Sequence, residues 1–350
     1  MACASFATTA FAQQKAGIYS VSVGQQYIAV DAGATAIVAP ELQPPSMGLF
    51  TVSAVSTNGT NSTLTLTGTP PLDAYGAPVL ANQYNQGASY PIFYALVTSG
   101  ALTGNYYSVV SNTTGNLVIN NKGETITGLG VKAIDLRPYW TLETLFPASV
   151  VGASFIATTS PSSVMTKLIL SPTTVTGLQN PQEVGDAFYF DSSLKNWVKA
   201  SAPTEVAGGT PVPPGRYLYM QNTGNNTFPI DSYIAGTVLK TPFNFKLTAS
   251  PTEAVTTLFA LPRASSYKLS EVGFNDNNFI PARIGLANDI LVIDDSQGGV
   301  AGKYYRSGNK WYAIGSTIAV DPLIPSGTAY GVIKVMDYFG NKTLTNKNNK

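Results

Sequence analysis

The amino-acid sequence predicts an all-β protein made of two related β-sandwich-like units in tandem, with very little helix. Apolar and polar residues alternate in short runs that are rich in β-branched and aromatic side chains. Gly, Pro and Asn bound these runs. Helical spacing is scarce, and the best helix candidate is PYWTLETLF, residues 138–146, in which Pro138 suits a first helical turn.

The strand-like runs extend along the whole chain and account for the fold class. In chain order they are IYSVSV, LFTVSAV, TLTLTG, YYSVV, NLVIN, KLILS, AFYF, NWVKA, YLYM, TLFALP, ILVID, KYY, KWYAI and YGVIKV. Turn sequences such as STNGTN and RSGNK separate several of them and favour hairpins.

An internal repeat organises the chain. DAFYFDSSLKNWVKA at 186–200 matches GKYYRSGNKWYAIG at 302–315, and each copy joins an aromatic strand to a second strand that contains a Trp. KLIL or ILVID precedes each copy, and a Pro-x-Gly corner follows. A weaker similarity links two segments that precede the copies, AIVAPELQ at 36–43 and LFALPRAS at 258–265.

The repeat predicts the domain boundaries. We expect a signal-peptide remnant, a first β unit, a β subdomain inserted into that unit, a second β unit and a polar, basic tail. These are residues 1–12, 13–228, about 50–135, 229–338 and 339–350.

Composition points to an uncharged surface. Only 11% of the residues are charged and the net charge is +1, against roughly 25% charged residues in ordinary soluble domains. Few charges are then desolvated where subunits pack against copies of themselves, although a turn-rich β domain explains the composition equally well. Nucleic acid is not expected as a partner because no basic stripe precedes the tail NKTLTNKNNK. No apolar run reaches the roughly 18 residues that a membrane span needs.

The chain lacks the residues of several common active sites. Histidine is absent and Cys3 is the only cysteine. Ser-His-Asp triads, Cys-His dyads, intramolecular disulfides and His- or Cys-ligated metal sites are therefore excluded. We expect a protein that is not an enzyme and that carries no cofactor.

The first twelve residues, MACASFATTAFA, resemble the end of a secretory signal peptide. They form a short apolar stretch that closes on Ala10-Phe11-Ala12, the A-x-A cleavage pattern. The sequence therefore predicts export to the cell surface or the extracellular space.

Several motifs resemble an uncharacterised family of exported β-rich proteins from verrucomicrobia-type bacteria. They are FYALVTSGALTGNYYSVVSNTTGNLVI, PYWTLETLFPAS, the aromatic hairpin with K/N-W, and the PPG or PSG corner. The resemblance covers about residues 17–335 and implies secretion, a β-rich fold and a bacterial source. It implies no catalytic residues.

Two groups of side chains are candidate binding residues. Aromatic rings on the repeated hairpins could stack on the apolar faces of sugars, or they could be cross-strand pairs and core anchors. Oxygen ligands that follow the strand ILVI could hold Ca²⁺, although such residues more often cap turns. The sugar-stacking candidates are Tyr189, Tyr217, Tyr304 and Tyr312, the core anchors are Trp197 and Trp311, and the calcium candidates are Asp294 and Asp295.

These observations favour an exported structural protein that self-assembles into a filament, sheath or surface layer. The alternating N-terminal run is the expected donor of a strand to a neighbouring copy, through Ile18, Tyr19, Val21 and Val23. The first alternative is a secreted adhesin that binds cell-surface glycans, and the second is a virion tail or capsid protein.

Overall fold

The structure is a computed structural model. It describes residues 23–68, 71–84, 92–149, 155–160, 162, 164, 166–176, 179–222, 229–282, 289–294, 300–334 and 342–346. Within these ranges the chain forms 27 β-strands and two α-helices of four residues each. The all-β fold class is therefore confirmed. None of the described helices is long and apolar enough to cross a membrane.

The first unit is a six-stranded antiparallel sheet covered by a two-stranded ribbon. The sheet has the order β14-β13-β12-β10-β16-β2, and the ribbon pairs β1 with β17. A small pair, β9 with β15, lies beside them. The strands are β1 Val23–Val30, β2 Thr35–Val38, β9 Trp140–Thr141, β10 Thr166–Leu170, β12 Asp186–Asp191, β13 Asn196–Lys199, β14 Ala202–Val206, β15 Pro211–Val212, β16 Leu218–Asn222 and β17 Ile230–Thr237.

A closed six-stranded barrel is inserted between β2 and β9. Its strands follow the order β3-β4-β7-β6-β5-β8 around the barrel, and its interior holds an apolar cluster of its own. The strands are β3 Gly48–Asn58, β4 Asn61–Leu66, β5 Phe93–Ser99, β6 Tyr106–Asn112, β7 Asn116–Asn120 and β8 Ala133–Pro138. The sequence predicts an inserted β subdomain at about 50–135, and the barrel strands span residues 48–138.

The second unit repeats the first, strand for strand. Its sheet has the order β24-β23-β22-β21-β26-β19, and β11 of the first unit is added beyond β19. Its ribbon pairs β18 with β27, and β20 pairs with β25. The strands are β11 Thr174–Thr176, β18 Phe243–Leu247, β19 Val255–Ala260, β20 Tyr267–Lys268, β21 Ile290–Asp294, β22 Val300–Ser307, β23 Lys310–Ala313, β24 Ala319–Val320, β25 Leu323–Ile324, β26 Ala329–Lys334 and β27 Lys342–Asn346.

Strand pairing divides the units at a different point from the expected 228/229 boundary. The strand β17, residues 230–237, pairs along its whole length with β1 and so closes the first unit. The strand β27, residues 342–346, lies in the segment expected to be a polar tail, yet it pairs with β18. Local composition does not report such pairings because the partners are 100 to 200 residues apart in sequence.

The helix expected at 138–146 is shorter than the sequence indicates. The helix α1 spans Leu142–Leu145, and its N-cap Thr141 exchanges hydrogen bonds with Thr144. Residues Trp140–Thr141 instead form β9. The second helix, α2, spans Pro181–Val184, and a 3-10 turn spans Leu269–Glu271.

Apolar clusters lie on both faces of the first sheet. One fills the space between this sheet and the β1–β17 ribbon and contains Leu168, Phe188 and Trp197. The other lies where the two units meet and contains Tyr219 from the first sheet and Leu258 from the second. Most side chains of the first sheet are therefore buried whichever face they occupy.

Candidate assembly site

The strands β1 and β2 are joined by a tight turn but do not pair with each other. In the turn, the amide of Ala34 donates to the carbonyl of Asp31 at 3.1 Å. The side chain of Asn222 donates to the carbonyls of Val30 and Asp31, at 3.3 and 3.2 Å, and holds the turn against the sheet. From this apex the two strands diverge, because β1 continues into the ribbon and β2 into the sheet.

A groove of about 240 Å³ lies between the two diverging strands, and we call it the β1–β2 groove. Residues 26–31 line one side and residues 34–37 line the other. The side chain of Gln26 spans the groove beyond β2, donating to the carbonyl of Ala39 at 2.8 Å and accepting from the amide of Glu41 at 3.1 Å. The Gln26 side chain therefore connects β1 to the residues that follow β2, at one end of the groove.

Both walls of the groove present strand edges. Within the described ranges, β1 pairs only with β17 and β2 pairs only with β16. The amide of Asn222 donates to the carbonyl of Ala34. Because hydrogen-bonded and non-bonded pairs alternate along an antiparallel ladder, the backbone N–H groups of Thr35 and Ile37 point away from β16. The edge of β2 can therefore accept another strand.

The second unit has the equivalent strands, and there the edge of β19 is covered from within the chain. β11 pairs with β19 in the register Thr174↔Thr257, and the amide of Leu258 donates to the carbonyl of Thr173 at 2.9 Å. On β18, the amide of Asn244 donates to the carbonyl of Gly104 at 2.9 Å. The first unit thus supplies the strand that covers β19, and the barrel supplies one backbone hydrogen bond to β18.

The outer face of the β1–β17 ribbon exposes an aromatic pair. Tyr27 and Tyr233 are cross-strand neighbours with ring centroids 5.1 Å apart, and they are 56% and 62% exposed. The Tyr27 hydroxyl donates to the carboxylate of Asp231, and this bond to the neutral phenol raises the pKa of Tyr27. Exposed rings beside a carboxylate can bind an apolar surface that also carries hydroxyl groups.

The expected donor strand falls mostly on residues that the structure does not describe. Ile18, Tyr19 and Val21 lie outside the described residues, and Val23 is the first residue of β1. Val23 is 77% exposed and pairs with Thr237 at the end of the ribbon. Residues 23–30 are therefore a strand of this unit, so a donated strand would have to come from the residues before Val23.

The sugar-stacking face expected from the tyrosines is not assembled. Tyr189 and Tyr217 are buried and offer no ring face to a sugar, and Tyr217 packs in the cluster between the two units. This corrects the binding role expected for them. Tyr304 and Tyr312 are half-buried, and Tyr312 stacks on Tyr305 at 5.5 Å.

The two repeated tryptophans occupy equivalent buried positions. Trp197 pairs with Phe190, and Trp311 pairs with Arg306, in the same hairpin of each unit. Trp197 is 1% exposed and its indole N–H donates to the carbonyl of Phe146 at 2.9 Å, while Trp311 is 3% exposed. Each ring packs on aromatic neighbours of its own unit.

The calcium candidates do not form a site in the described part of the chain. Asp294 is the last residue of β21, and Asp295 lies outside the described residues. No three His, Cys, Asp or Glu side chains in the described ranges lie close enough together to hold a metal ion.

Comparison with protein-family models, with curated proteins and with solved structures gives no match to this chain. The resemblance to exported β-rich proteins stays a prediction.

The sequence patterns described above do not indicate two features of the site. The groove depends on the pairing of β1 with β17, about 200 residues away, which no local pattern reports. The exposure of Tyr27 could have been found, because in VGQQYIAV it alternates with Ile28 and Val30 and shares a face with Gln25.

Proposed function

We propose that this chain is an exported structural protein that assembles with copies of itself by strand donation. The observation that carries the proposal is the difference between its two units. The edge of β19 is covered by β11 from the first unit, whereas the equivalent edge of β2 has no such strand among the described residues. A strand from a neighbouring copy would extend the first sheet in the way that β11 extends the second.

The donor in this proposal is the segment before β1, with the alternating residues Ile18 to Ser22. Alternation places one set of side chains toward the groove and the other toward solvent. The low charge of the chain supports such contacts, because few charges are desolvated when copies pack together. The product is an extracellular filament, sheath or surface layer.

The test is a chain that begins at Val23, which removes the donor and keeps β1. We expect this chain to fold and to remain a monomer by light scattering, while the mature chain forms polymers by negative-stain microscopy. A labelled peptide of residues 13–22 should bind the shortened chain, and a control peptide with Asp at positions 19 and 21 should not. Unchanged assembly of the shortened chain would overturn the proposal.

A second candidate function is a secreted module that binds glycans on cell surfaces. The exposed pair Tyr27 and Tyr233, beside the Asp231 carboxylate, favours it. In this case the protein is a monomer and its ligand lies on the outer face of the ribbon. Light scattering on the mature chain separates the two functions.

A further inference from the structure

A lysine and an aspartate are in contact in the interior of the second unit. Lys334 ends β26, and Asp289 lies opposite it, one position before β21. The Lys334 Nζ is 2.5 Å from the Asp289 Oδ2, and both side chains are 0% exposed. The amide of Ile280 donates to the same Oδ2 at 2.8 Å, and the Nζ also donates to the carbonyl of Asn278 at 3.4 Å.

The fold does not require charged residues at this position. In the first unit the equivalent register pairs Thr166 with Asn222, and both are buried. A neutral pair therefore occupies the equivalent place in the sheet of the first unit. A fully buried ion pair generally stabilises a fold no more than neutral residues of similar size, so the Lys334–Asp289 contact calls for another explanation.

We propose that Lys334 and Asp289 join to form an intramolecular amide bond. In a site closed to water, passing the ammonium proton to the carboxylate leaves an amine and a carboxylic acid, both uncharged. The lone pair of Nζ attacks the carboxyl carbon Cγ, and the new C–N bond gives a tetrahedral intermediate. The Cγ–OH bond then breaks, and the hydroxyl leaves with a proton from the nitrogen as one molecule of water.

The surroundings of the pair favour this condensation. Holding an amine and a carboxyl in contact gives an effective concentration that reaches about 10⁵–10⁸ M in well-oriented intramolecular reactions. The N–H of Ile280 donates to the same Oδ2 that faces Nζ and so holds the carboxyl group in place against the amine. The complete burial of both side chains keeps water from the product amide. No oxidant, reductant or metal takes part.

The bond would close residues 289–334 into a covalent ring. This ring contains β21 to β26, which form most of the second sheet. The cross-link would lower the entropy of the unfolded chain, and a pulling force on the chain ends could not extend the residues inside the ring.

The decisive measurement is the intact mass of the purified protein under denaturing conditions. We expect the wild-type chain to be lighter than its encoded mass by one water molecule. Trypsin should then release residues 284–303 joined to residues 311–342, because cleavage after a linked Lys334 is blocked. If the folded protein still has its encoded mass after prolonged incubation at neutral pH, Lys334 and Asp289 form an ion pair only. This result would overturn the proposal.

Two variants control for the mass reading. Lys334→Arg keeps a cation against Asp289 but removes the nucleophilic amine, so it should have its encoded mass. The double variant Asp289→Thr with Lys334→Asn installs the pair found in the first unit and should fold without a cross-link. If either variant is also lighter than its encoded mass by one water molecule, the modification lies elsewhere in the chain. This result would also overturn the proposal.

Discussion

The backbone amide of Leu258 donates a 2.9 Å hydrogen bond to the carbonyl of Thr173, and this contact joins the second sheet to a strand of the first unit. β11 pairs here with β19 although β11 follows β10 of the other sheet. The chain therefore contains one completed example of strand addition between its units. The proposed assembly repeats this contact between separate copies.

Blocking the edge of β2 should prevent assembly without unfolding the chain. Thr35→Pro removes an N–H that points into the β1–β2 groove and leaves the β2–β16 ladder intact. We expect this variant to be a monomer by light scattering, with a melting temperature close to that of the wild type. Thr35→Val, which keeps the N–H, is the matched control and should assemble. Polymers of the proline variant would contradict the use of this edge.

The barrel is fixed to the first unit by a buried arginine. The Arg137 guanidinium donates to Asp135 at 2.6 Å, to the carbonyl of Pro44 at 2.9 Å and to the hydroxyl of Thr237 at 2.8 Å. Arg137→Ala leaves Asp135 buried without its cation, and we expect a loss of about 3–5 kcal/mol in the free energy of unfolding. Thr237→Val removes the last of these bonds and the bond that the hydroxyl shares between the carbonyls of Gln43 and Pro44, and it should cost about 1–3 kcal/mol. Urea denaturation measures both, and equal losses would contradict this account.

Alkaline pH should unfold the protein. Burial raises the pKa of both Tyr84 and Tyr219 to about 12, against about 10 in an unfolded chain. Above pH 10 the unfolded state releases protons that the folded state keeps. The stabilisation is therefore complete below about pH 10 and is lost as the pH rises toward 12. Tyrosinate absorbance and circular dichroism should change together in this window.

Tyr84→Phe tests the alkaline transition. The Tyr84 hydroxyl is buried and has no hydrogen-bond partner within the described chain, so removing it should leave stability at neutral pH unchanged or raise it by up to about 1 kcal/mol. The alkaline midpoint should move to higher pH. Tyr75→Phe alters a ring that is 76% exposed and should leave the midpoint unchanged. Equal midpoints for Tyr84→Phe and the wild type would rule out this cause.

Glycan binding, if it occurs, should depend on the exposed ribbon pair and not on the repeated hairpins. On a glycan array, Tyr27→Ala and Tyr233→Ala should each abolish binding, because each removes half of the exposed aromatic surface. Tyr312→Ala is the control, since that ring stacks on Tyr305 within its own hairpin. Binding that survives the loss of both ribbon tyrosines would eliminate this site.

Local patterns in the sequence predict most of the elements and the repeat. Alternation identifies β10, β12 and β13 and their counterparts β21, β22 and β23, because side chains on a strand point to opposite faces. The repeated Trp hairpins predict the antiparallel pairs β12–β13 and β22–β23. These features are local, so they can be read from neighbouring residues.

The sequence does not show which surfaces become covered. Tyr189 and Tyr217 alternate with core residues and look exposed, but both are buried, and Tyr217 packs between the two units. The pairing of β1 with β17 likewise joins segments about 200 residues apart and depends on how the whole first unit folds. Both outcomes are set by contacts between distant segments, and alternation carries no information about them.

The unequal state of the two units would give any assembly a direction. Each copy would bring one acceptor groove on its first unit and one donor segment, while the edge of β19 in its second unit is already paired with β11. Successive copies would join head to tail, and the two tips of the polymer would differ chemically. A soluble donor peptide would then stop growth at the groove-bearing tip and leave the opposite tip able to elongate.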